Sequence, residues 1–465
     1  RLVKLHVVSY ALPALIAVGQ AIYYHRPPRN PFAWLIRRLS LNRSLAVLES
    51  IQPESGGFLE ATPLTSFVVL SLASIGHEKH PVARHGVQFL VDSVRPDGSW
   101  PIDTNLSTWV TTLSINALAA AGELPHLERR SGLRSWLMRQ QYQTRHPYTG
   151  ADPGGWAWTP LTGGVPDADD TPGALIALSH LIEPVQDEEP QPSPRALARA
   201  ALSEYTAGGL SLPRLPDLSW EDRPALLNGL RWLLDLQNSD GGWPTFCRGW
   251  GHLPFDRSGC DLTAHVLRAV SVWQAQLEAD QVYAEALRLA RQTATFPGFP
   301  LPDATDAVEQ GLMYLAREQR PDGSWLPLWF GNQHAPDDVN PTYGTARVLA
   351  AYRDLGLLHV EQARRGFDWL LANQNPDGGW GGVKNTPSSI EETALAVEVL
   401  LAAGDRAESA VNNGLAWLVE QVEAGGLTQA TPIGFYFARL WYFEKLYPIM
   451  FTVAALGRAR RGSTY

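Results

Sequence analysis

The sequence predicts an all-α protein built as an α/α barrel, in which outer and inner helices form two concentric rings. Three observations support this prediction. One turn motif recurs along the chain, apolar helical segments alternate with amphipathic ones, and no segment shows a convincing two-residue strand periodicity. Helices that are apolar all round must be buried, and amphipathic helices can cover them, so concentric rings are favoured.

The recurring motif joins the end of an outer helix to a tight turn and a tryptophan. In three copies the helix ends near a Gln, whereas Ser93 takes that place in the first copy. An Asp-Gly turn and a Trp follow in every copy. We expect the Gln and Trp of neighbouring turns to stack and hydrogen-bond, and we assign Trp100, Trp243 and Trp380 to this structural role. The four copies span residues 85–100, 229–243, 311–325 and 366–380.

Apolar segments with helical spacing lie between the turns, and each predicts an inner helix. Ahead of them, residues 2–24 carry an apolar face that ends at the Pro-rich stretch 26–31, and a buried helix is the favoured interpretation. Residues 32–38 form a short basic amphipathic piece that could face lipid headgroups. The predicted inner helices span residues 109–121, 172–181, 262–273, 343–352, 390–402 and 436–456.

Composition excludes several classes of function. The net charge of −9 and the lack of a basic tract argue against a nucleic-acid partner. Two cysteines, Cys247 and Cys260, are too few for a disulfide framework, which fits a reduced, cytoplasmic-side setting. We find no metal-binding spacing, no phosphate-binding Gly loop and no Gly-x-Ser-x-Gly elbow, so neither a metal nor a cofactor is predicted. The apolar segment 7–24 is too short and interrupted for a membrane span, and because the chain opens at Arg1 we expect further sequence before it.

The strongest candidate for chemistry is the acidic stretch Pro166-Asp167-Ala168-Asp169-Asp170-Thr171, which runs into an apolar helix. Three carboxylates in four residues repel one another, so at least one should keep its proton near neutral pH in a dry site. A protonated carboxyl group can serve as an acid. The alternative is a helix N-cap, which explains one Asp well and leaves the third without a role.

A second cluster, Asp261-Leu262-Thr263-Ala264-His265, opens another inner helix. Asp261 and His265 are four residues apart and share one helix face, so the carboxylate could hold the imidazole charged. A charged imidazole beside an aspartic acid would lower the pKa of that acid and strengthen it as a proton donor. A cap with an ordinary helix histidine is the alternative.

A third set is aromatic and falls mainly at the junctions between turns and inner helices. Aromatic faces attract cations by up to about 2 kcal/mol each when desolvated, so they could stabilise a carbocation without offering it a nucleophile. For any one residue, core packing is the alternative. The candidate cavity residues are Trp109, Trp158, Phe246, Trp329, Tyr343, Phe435, Tyr436 and Phe443.

Together these motifs make the chain resemble the squalene-hopene cyclases, which are class II triterpene cyclases. The Trp-ended turns resemble the Gln-Trp repeat of that family, and Asp167-Ala168-Asp169-Asp170-Thr171 matches its Asp-x-Asp-Asp-Thr signature. The resemblance implies that Asp169 is the proton donor, that Asp167 and Asp170 stay ionised, and that His265, steadied by Asp261, hydrogen-bonds Asp169. It also implies the aromatic residues above as substrate contacts.

The resemblance carries further expectations about domains. The family has two α-barrels, so residues 1–92 would be part of an N-terminal barrel with a possible membrane-facing segment, and 93–465 the catalytic α6/α6 barrel. Three departures bear on the site: Val110 replaces an acidic residue, residues are inserted between Trp329 and Tyr343, and the C-terminal segment is slightly shortened.

By resemblance the expected activity is an isomerase reaction, the acid-initiated cyclisation of a linear isoprenoid. Squalene is the simplest substrate and hopene-type or hopanol-type triterpenes are the products. A shorter or aryl-bearing prenyl substrate and a non-catalytic lipid-binding pseudo-cyclase are the alternatives. Because such substrates dissolve in bilayers, we expect a monotopic protein on the cytoplasmic face of a membrane, and the resemblance implies a possible homodimer.

Overall fold

The computed structural model describes residues 10–147, 149–182, 223–247, 254–273, 304–436 and 439–462. Within these ranges the protein is helical apart from one two-stranded hairpin, which confirms the predicted all-α class. No helix of the described ranges is both long and apolar enough to cross a membrane. The helices are α1 Leu12–His25, α2 Pro31–Ser50, α3 Thr62–Ala73, α4 Pro81–Asp92, α5 Ser107–Ala121, α6 Arg130–Arg139, α7 Asp170–Leu181, α8 Arg223–Leu236, α9 260–273, α10 Ala304–Glu318, α11 Pro341–Asp354, α12 Glu361–Ala372, α13 Ile390–Leu400, α14 Glu408–Glu423 and α15 Tyr447–Gly462, and the strands are β1 Gly434–Tyr436 and β2 Leu440–Tyr442.

Six helices form the inner ring: α5, α7, α9, α11, α13 and α15. Helices α7, α11 and α13 are rich in Ala, Leu and Val, and most of their residues are buried on every side. Helix α15 packs against both α13 and α5, so the last inner helix closes the ring on the first. Contacts between neighbours in the ring include Trp273 Nε1 to Leu175 O at 3.0 Å, Arg268 to Asp354 at 2.6 Å, Arg353 to Glu398 at 3.0 Å, and Arg458 to Glu398 at 3.3 Å.

The outer ring consists of α6, α8, α10, α12 and α14, and the repeated turns connect it. In the three turns that carry a Gln, its side chain donates one hydrogen bond to the carbonyl of the turn glycine and one to the first turn of the next outer helix. Gln319, for example, bonds Gly323 O and Gln362 O, both at 2.9 Å. The expected hydrogen bond between Gln and Trp is therefore wrong, because the Gln amide instead bonds a backbone carbonyl of its own turn and one of the next outer helix, and so ties neighbouring outer helices together.

The tryptophan of each turn packs behind its own outer helix. Its indole N–H donates to the carbonyl ten residues earlier, as in Trp243 to Leu233 O and Trp325 to Leu315 O, both at 2.7 Å. Trp243 and Trp380 are fully buried, as a packing role requires. Trp100 makes the same bond, to Leu90 O at 2.7 Å, but is 53% exposed, so only its hydrogen bond fits the predicted role.

The N-terminal helices α1–α4 enclose a small hydrophobic core of their own, separate from the core of the barrel. Residues 1–9 lie outside the described residues, so the predicted helix over 2–24 is seen only as α1. The domain boundary near residue 92 stays a prediction. Cys247 and Cys260 are free thiols.

The predicted inner helix over 436–456 is wrong at its start. Residues 434–436 and 440–442 pair as the antiparallel strands β1 and β2, with Phe435 opposite Trp441 and Tyr436 opposite Leu440, and α15 begins only at Tyr447. The two strands are rich in aromatic residues, which favour strands, and their side chains alternate between two faces.

Candidate active site

The first turns of several inner helices carry polar and aromatic side chains. Trp109 follows the start of α5, and its indole N–H donates to the Tyr447 hydroxyl at the start of α15, at 2.8 Å. Asp170 opens α7, Asp261 lies in the first turn of α9, and Tyr343 lies in the first turn of α11. The inner ring thus gathers these residues at one end of the barrel, where a site can form.

Asp167 organises the acidic stretch. Its Oδ1 accepts the backbone N–H groups of Asp169 at 2.8 Å and Asp170 at 2.7 Å, so it orders the entry to α7 much as a cap does. Burial raises the pKa of Asp167 to about 7, although these hydrogen bonds favour the charged form and act against the rise. The capping alternative therefore describes Asp167, and it leaves the other two carboxyls free for another role.

The pKa values of the other two carboxyls of the stretch are also raised. Burial, together with the charges of Asp167 and Asp261, raises the pKa of Asp169 well above its ordinary value. Burial and the charge of Asp167 likewise raise the pKa of Asp170, and its Oδ1 is buried without a hydrogen-bond partner in the described part of the chain. Burial therefore acts against the expected ionised state of Asp170, which stays a prediction.

A small pocket holds Asp169. Its volume is about 10 Å³, room for roughly one water molecule. The sequence predicts a larger chamber; here the aromatic rings pack closely, with Phe330 stacked on Tyr343 at a centroid distance of 3.8 Å. The pocket is lined by Trp109, Asp169, Asp261, His265, Arg268, Tyr343 and Arg347.

His265 lies in this pocket but does not play the predicted role. No hydrogen bond joins its ring to Asp169 or Asp261 within the described residues, and Asp261 Oδ1 instead accepts the N–H of Leu328 at 3.0 Å. Burial, with the nearby charges of Arg268 and Arg347, lowers the pKa of His265 well below its ordinary value. The expected imidazolium is therefore wrong: a dry site that already contains guanidinium groups disfavours another cation.

Arg347, which the sequence reasoning missed, supplies the positive charge. Its guanidinium lies 5.0 Å from the ring centroid of Tyr343 and 5.4 Å from that of Phe451. The charge of Arg347 lowers the pKa of Asp169, acting against the larger effect of burial. A single basic residue inside the apolar segment of α11, four positions after Tyr343, was the signal in the sequence.

A continuous chain of aromatic contacts surrounds this end of the barrel. Of the predicted cavity residues, Trp158, Phe246, Trp329, Tyr343 and Tyr436 belong to it. The sequence reasoning missed Phe255, Phe330, Tyr442 and Tyr447. The successive centroid distances are 6.1 Å for Trp158–Phe246, 5.8 Å for Phe246–Phe255, 5.1 Å for Phe255–Trp329, 5.5 Å for Trp329–Tyr436, 4.9 Å for Tyr436–Tyr442, 6.5 Å for Tyr442–Phe330, 3.8 Å for Phe330–Tyr343 and 6.5 Å for Phe330–Tyr447.

Two predicted cavity residues lie elsewhere. Phe443 is 44% exposed, so its assignment to the cavity is wrong. Phe435 pairs with Trp441, at a ring distance of 4.5 Å, on the face of the hairpin opposite Tyr436 and Tyr442. Both errors follow from predicting a helix here, since a strand sends alternate residues to opposite faces.

The comparison with known families matches the larger part of the barrel. The sequence model of the squalene-hopene cyclase C-terminal domain matches residues 217–461, more than half of the chain. Within the described residues, no group of three or more His, Cys, Asp and Glu side chains is arranged to hold a metal ion.

Individual relatives point to the same family. The chain is 27% identical over 485 residues to a squalene-hopene cyclase of Alicyclobacillus acidocaldarius, covering 96% of this chain and 64% of that protein. It is 31% identical over 212 residues to a drimenyl diphosphate synthase of Streptomyces showdoensis, covering 45% of this chain and 33% of that one. The chain thus spans less than two thirds of these relatives. An ent-copalyl diphosphate synthase from Streptomyces platensis shares its fold, with a TM-score of 0.53, 17% identity, and coverage of 98% of this chain and 76% of that one.

Proposed function

The chain belongs to the squalene-hopene cyclase family, and on that premise we propose that it is a class II terpene cyclase in which Asp169 is the initiating acid. The observation that carries the proposal is a carboxyl group with a raised pKa, in a pocket lined by Trp109, Tyr343 and Arg347. Asp169 transfers its proton to a terminal double bond of a linear isoprenoid, which leaves a tertiary carbocation. Internal double bonds then attack in turn, and the last cation loses a proton or adds water.

The environment of Asp169 meets two opposing requirements of such an acid. It must hold a proton at neutral pH, and burial supports this by disfavouring the carboxylate. It must also release that proton to an alkene, a weak base, and the charge of Arg347 stabilises the carboxylate that forms. We therefore assign to Arg347 the activating role that the resemblance gave to His265.

The aromatic chain supports the later steps. Ring faces stabilise a developing cation by about 0.5–2 kcal/mol each, and they cannot trap it as a nucleophile would. Trp329, Tyr436 and Tyr442 contact one another in succession in this wall, so a migrating charge could meet one ring after another. Close packing of these rings also excludes water, which would quench the cation early.

Squalene is the substrate that we propose first, in line with the family. Ligand pockets usually measure about 300–1,000 Å³, whereas the space beside Asp169 is about 10 Å³. Substrate binding must therefore separate rings of the wall, and the stacked pair Phe330 and Tyr343 closes the space nearest the acid. A shorter prenyl diphosphate is the second candidate, because one relative is a drimenyl diphosphate synthase.

The proposal is tested by incubating the purified protein with squalene in detergent and, in parallel, with farnesyl and geranylgeranyl diphosphate, followed by gas chromatography with mass spectrometry of dephosphorylated extracts. We expect a cyclised isomer or its hydrate from one substrate. Asp169→Asn should yield none, with an unchanged circular dichroism spectrum, while the exposed Asp405→Asn keeps full activity. Cyclisation by Asp169→Asn, or no product from any substrate with the wild-type protein, contradicts the proposal.

We also propose that the protein takes its substrate from a membrane surface. Apolar side chains of α2 are widely exposed, including Phe32 at 77%, Ile36 at 67% and Leu39 at 70%. Arginines 37 and 38 lie among them on the same helix and would suit anionic headgroups. Sedimentation with anionic lipid vesicles tests this, and a protein that stays in the supernatant with and without salt would refute it.

A further inference from the structure

The residues inserted ahead of α11 form a loop, 331–339, that closes on itself. A backbone bridge pairs Gly331 with Val339, and the N–H of Asn332 donates to Asp338 O at 3.2 Å. Several side chains of the loop are exposed to solvent, whereas Asn332 is buried. The loop is therefore attached to the barrel through a buried polar side chain.

One carboxyl group joins the two ends of this loop. Glu392, in the first turn of α13, is fully buried, and its Oε1 accepts hydrogen bonds from the side-chain amides of Asn332 at 2.8 Å and Asn340 at 3.0 Å. Asn332 is the second residue of the loop, and Asn340 directly follows it. A single acceptor atom thus ties both ends of the loop to the inner ring. We call Glu392, Asn332 and Asn340 the carboxyl clamp.

The carboxyl clamp is bonded to the aromatic pair that closes the space nearest the acid. Phe330 precedes the loop and stacks on Tyr343, with an interplanar angle of 13°. Asn340 donates to Gly331 O at 3.1 Å and accepts the N–H of Tyr343 at 3.0 Å. The clamp therefore holds the backbone next to one ring and the backbone of the other, and Tyr343 lines the pocket of Asp169.

Removing the carboxyl group would release the start of the loop. Within the described residues, the side-chain amide of Asn332 donates to Glu392 alone, and a buried N–H without an acceptor costs free energy. The backbone packs closely here, since a Cβ at Gly382 would lie 2.5 Å from the Cβ of Asn332. The amide would regain a hydrogen bond by reaching water, which requires the start of the loop, and Phe330 beside it, to move outward.

We propose that Glu392 is a positioning residue of the active site, which keeps Phe330 stacked on Tyr343 and so keeps water from the carbocation while the rings form. The inference rests on the proposed function, because dryness decides the product only where a carbocation forms. In a dry site the next double bond attacks the cation, which forms a C–C bond and moves the charge along the chain. A water molecule instead forms a C–O bond, the oxonium loses a proton to a second water, and cyclisation ends early.

Analysis of the products of whichever substrate the wild-type protein cyclises tests this role. Glu392→Leu should raise the share of partly cyclised alcohols by about fivefold or more, because water passes the opened stack. Glu392→Gln keeps an oxygen for both amides and should match the wild type. Asn332→Ala breaks the clamp at the loop alone and should also raise that share, so the test holds even if Glu392→Leu does not fold.

The neighbouring carboxyl group provides a matched control. Glu391 is also fully buried in the first turn of α13, but within the described residues its Oε1 accepts the N–H of Thr431 at 2.7 Å rather than an amide of the loop. Glu391→Leu should therefore leave the share of partly cyclised alcohols within about twofold of the wild type. An equal rise in Glu391→Leu, or no rise in either Glu392→Leu or Asn332→Ala, would overturn the proposal.

A second measurement needs no substrate and separates the clamp from the proposed function. Hydrogen–deuterium exchange with mass spectrometry follows the loop, where the N–H of Gly331 donates to Ile433 O at 2.9 Å. We expect peptides over residues 330–340 to exchange about tenfold faster in Glu392→Leu and at the wild-type rate in Glu392→Gln. Unchanged exchange in Glu392→Leu refutes the clamp even if the enzyme is active. Faster exchange in a protein that cyclises no substrate keeps the clamp and rejects the proposed function.

Discussion

At the scale of single residues, the position of Arg347 is unexpected, because its guanidinium is permanently positive and the site is proposed to generate a carbocation. Its guanidinium is stacked between the rings of Tyr343 and Phe451. The charge stays on the acid side of the pocket, where it stabilises the carboxylate that remains after proton transfer. Its repulsion would also favour moving the substrate charge away from the acid.

Replacing Arg347 should therefore weaken the acid. In Arg347→Met the pKa of Asp169 rises further, because burial is no longer opposed by a nearby positive charge. We expect kcat to fall by about tenfold or more, and the loss of activity at high pH to move to higher pH. A pH–rate profile measures both effects, and Arg347→Lys, which keeps a charge, should recover part of the rate. A profile that falls in height without shifting would contradict this role.

The hydrogen bond from Trp109 to Tyr447 joins the first and last inner helices through buried groups. Tyr447→Phe leaves the indole N–H without its acceptor, which should cost about 1–3 kcal/mol of unfolding free energy. Urea denaturation measures the loss. Tyr24→Phe, at a side chain that is 64% exposed, should stay within about 0.5 kcal/mol of the wild type. Equal stability of the two variants would show that the bond contributes nothing.

At the scale of elements, the turn glycines allow a matched comparison. Gly241 and Gly98 occupy equivalent positions, with φ of +90° and +82°. A Cβ at Gly241 would lie 2.4 Å from Gln310 O in the next outer helix, whereas a Cβ at Gly98 would have nothing within 4 Å. Replacing either glycine by Ala therefore places a side chain on a left-handed backbone, which costs free energy. Only the Cβ at position 241 also clashes with a neighbouring atom.

We expect Gly98→Ala to cost about 1–2 kcal/mol of unfolding free energy, from the backbone conformation alone. Gly241→Ala should cost about 1–3 kcal/mol more, because Gln310 O belongs to helix backbone and cannot move aside cheaply. Thermal and urea unfolding of both variants measure the difference. If the two changes cost the same, the turns do not depend on close contact with the next helix.

The inner helices could be predicted from sequence because each is a long apolar run bounded by clear turns. The hairpin could not be predicted in the same way: aromatic residues fit helices and strands, and only the alternation of Tyr436 and Tyr442 with Phe435 and Trp441 indicates the strand. Acidic residues of the site were recognised by their spacing in one motif. Arg347 was not, because its importance depends on neighbours far away in the sequence.

The protonation states of the active-site residues also could not be predicted from the sequence. Spacing places His265 beside Asp261, but the burial of the whole pocket and the presence of two guanidinium groups decide its charge. These are properties of the closed ring, to which several helices contribute at once. A pairwise argument along one helix could not include them.

At the scale of the whole molecule, the buried carboxyls should make stability depend on pH. Burial raises the pKa of Asp103 and Asp167 to about 7, of Asp261 to about 6 and of Glu392 to about 8. Each of these carboxyls binds more protons in the folded protein than in the unfolded chain between about pH 4 and 8, and so makes the unfolding free energy fall as pH rises. The lowered pKa values of His146 and His265 act in the opposite direction below about pH 6.5, so we expect the fall to be clearest between about pH 6.5 and 8.

Glu392 offers a clean test of this dependence. It accepts hydrogen bonds from the side-chain amides of Asn332 at 2.8 Å and Asn340 at 3.0 Å. Burial raises its pKa to about 8, so folding disfavours its ionised form. Glu392→Gln should reduce the loss of stability between about pH 5 and 8 by up to about 1.4 kcal/mol per pH unit. Urea denaturation at several pH values measures the slope. An unchanged slope would mean that Glu392 is ionised in the folded protein.

Closure of the inner ring by α15 against α5 has a consequence for biosynthesis. A chain emerges from the ribosome N-terminal end first, and helices that meet early in synthesis can fold as pairs. The partner of Trp109 lies 338 residues further on, so the walls around the acid assemble only after nearly all of the described chain has been made. Until then the apolar faces of α5 and α13 that pack against α15 stay exposed to solvent. The nascent protein would therefore depend on chaperones for longer than one whose helices pack against neighbours in sequence.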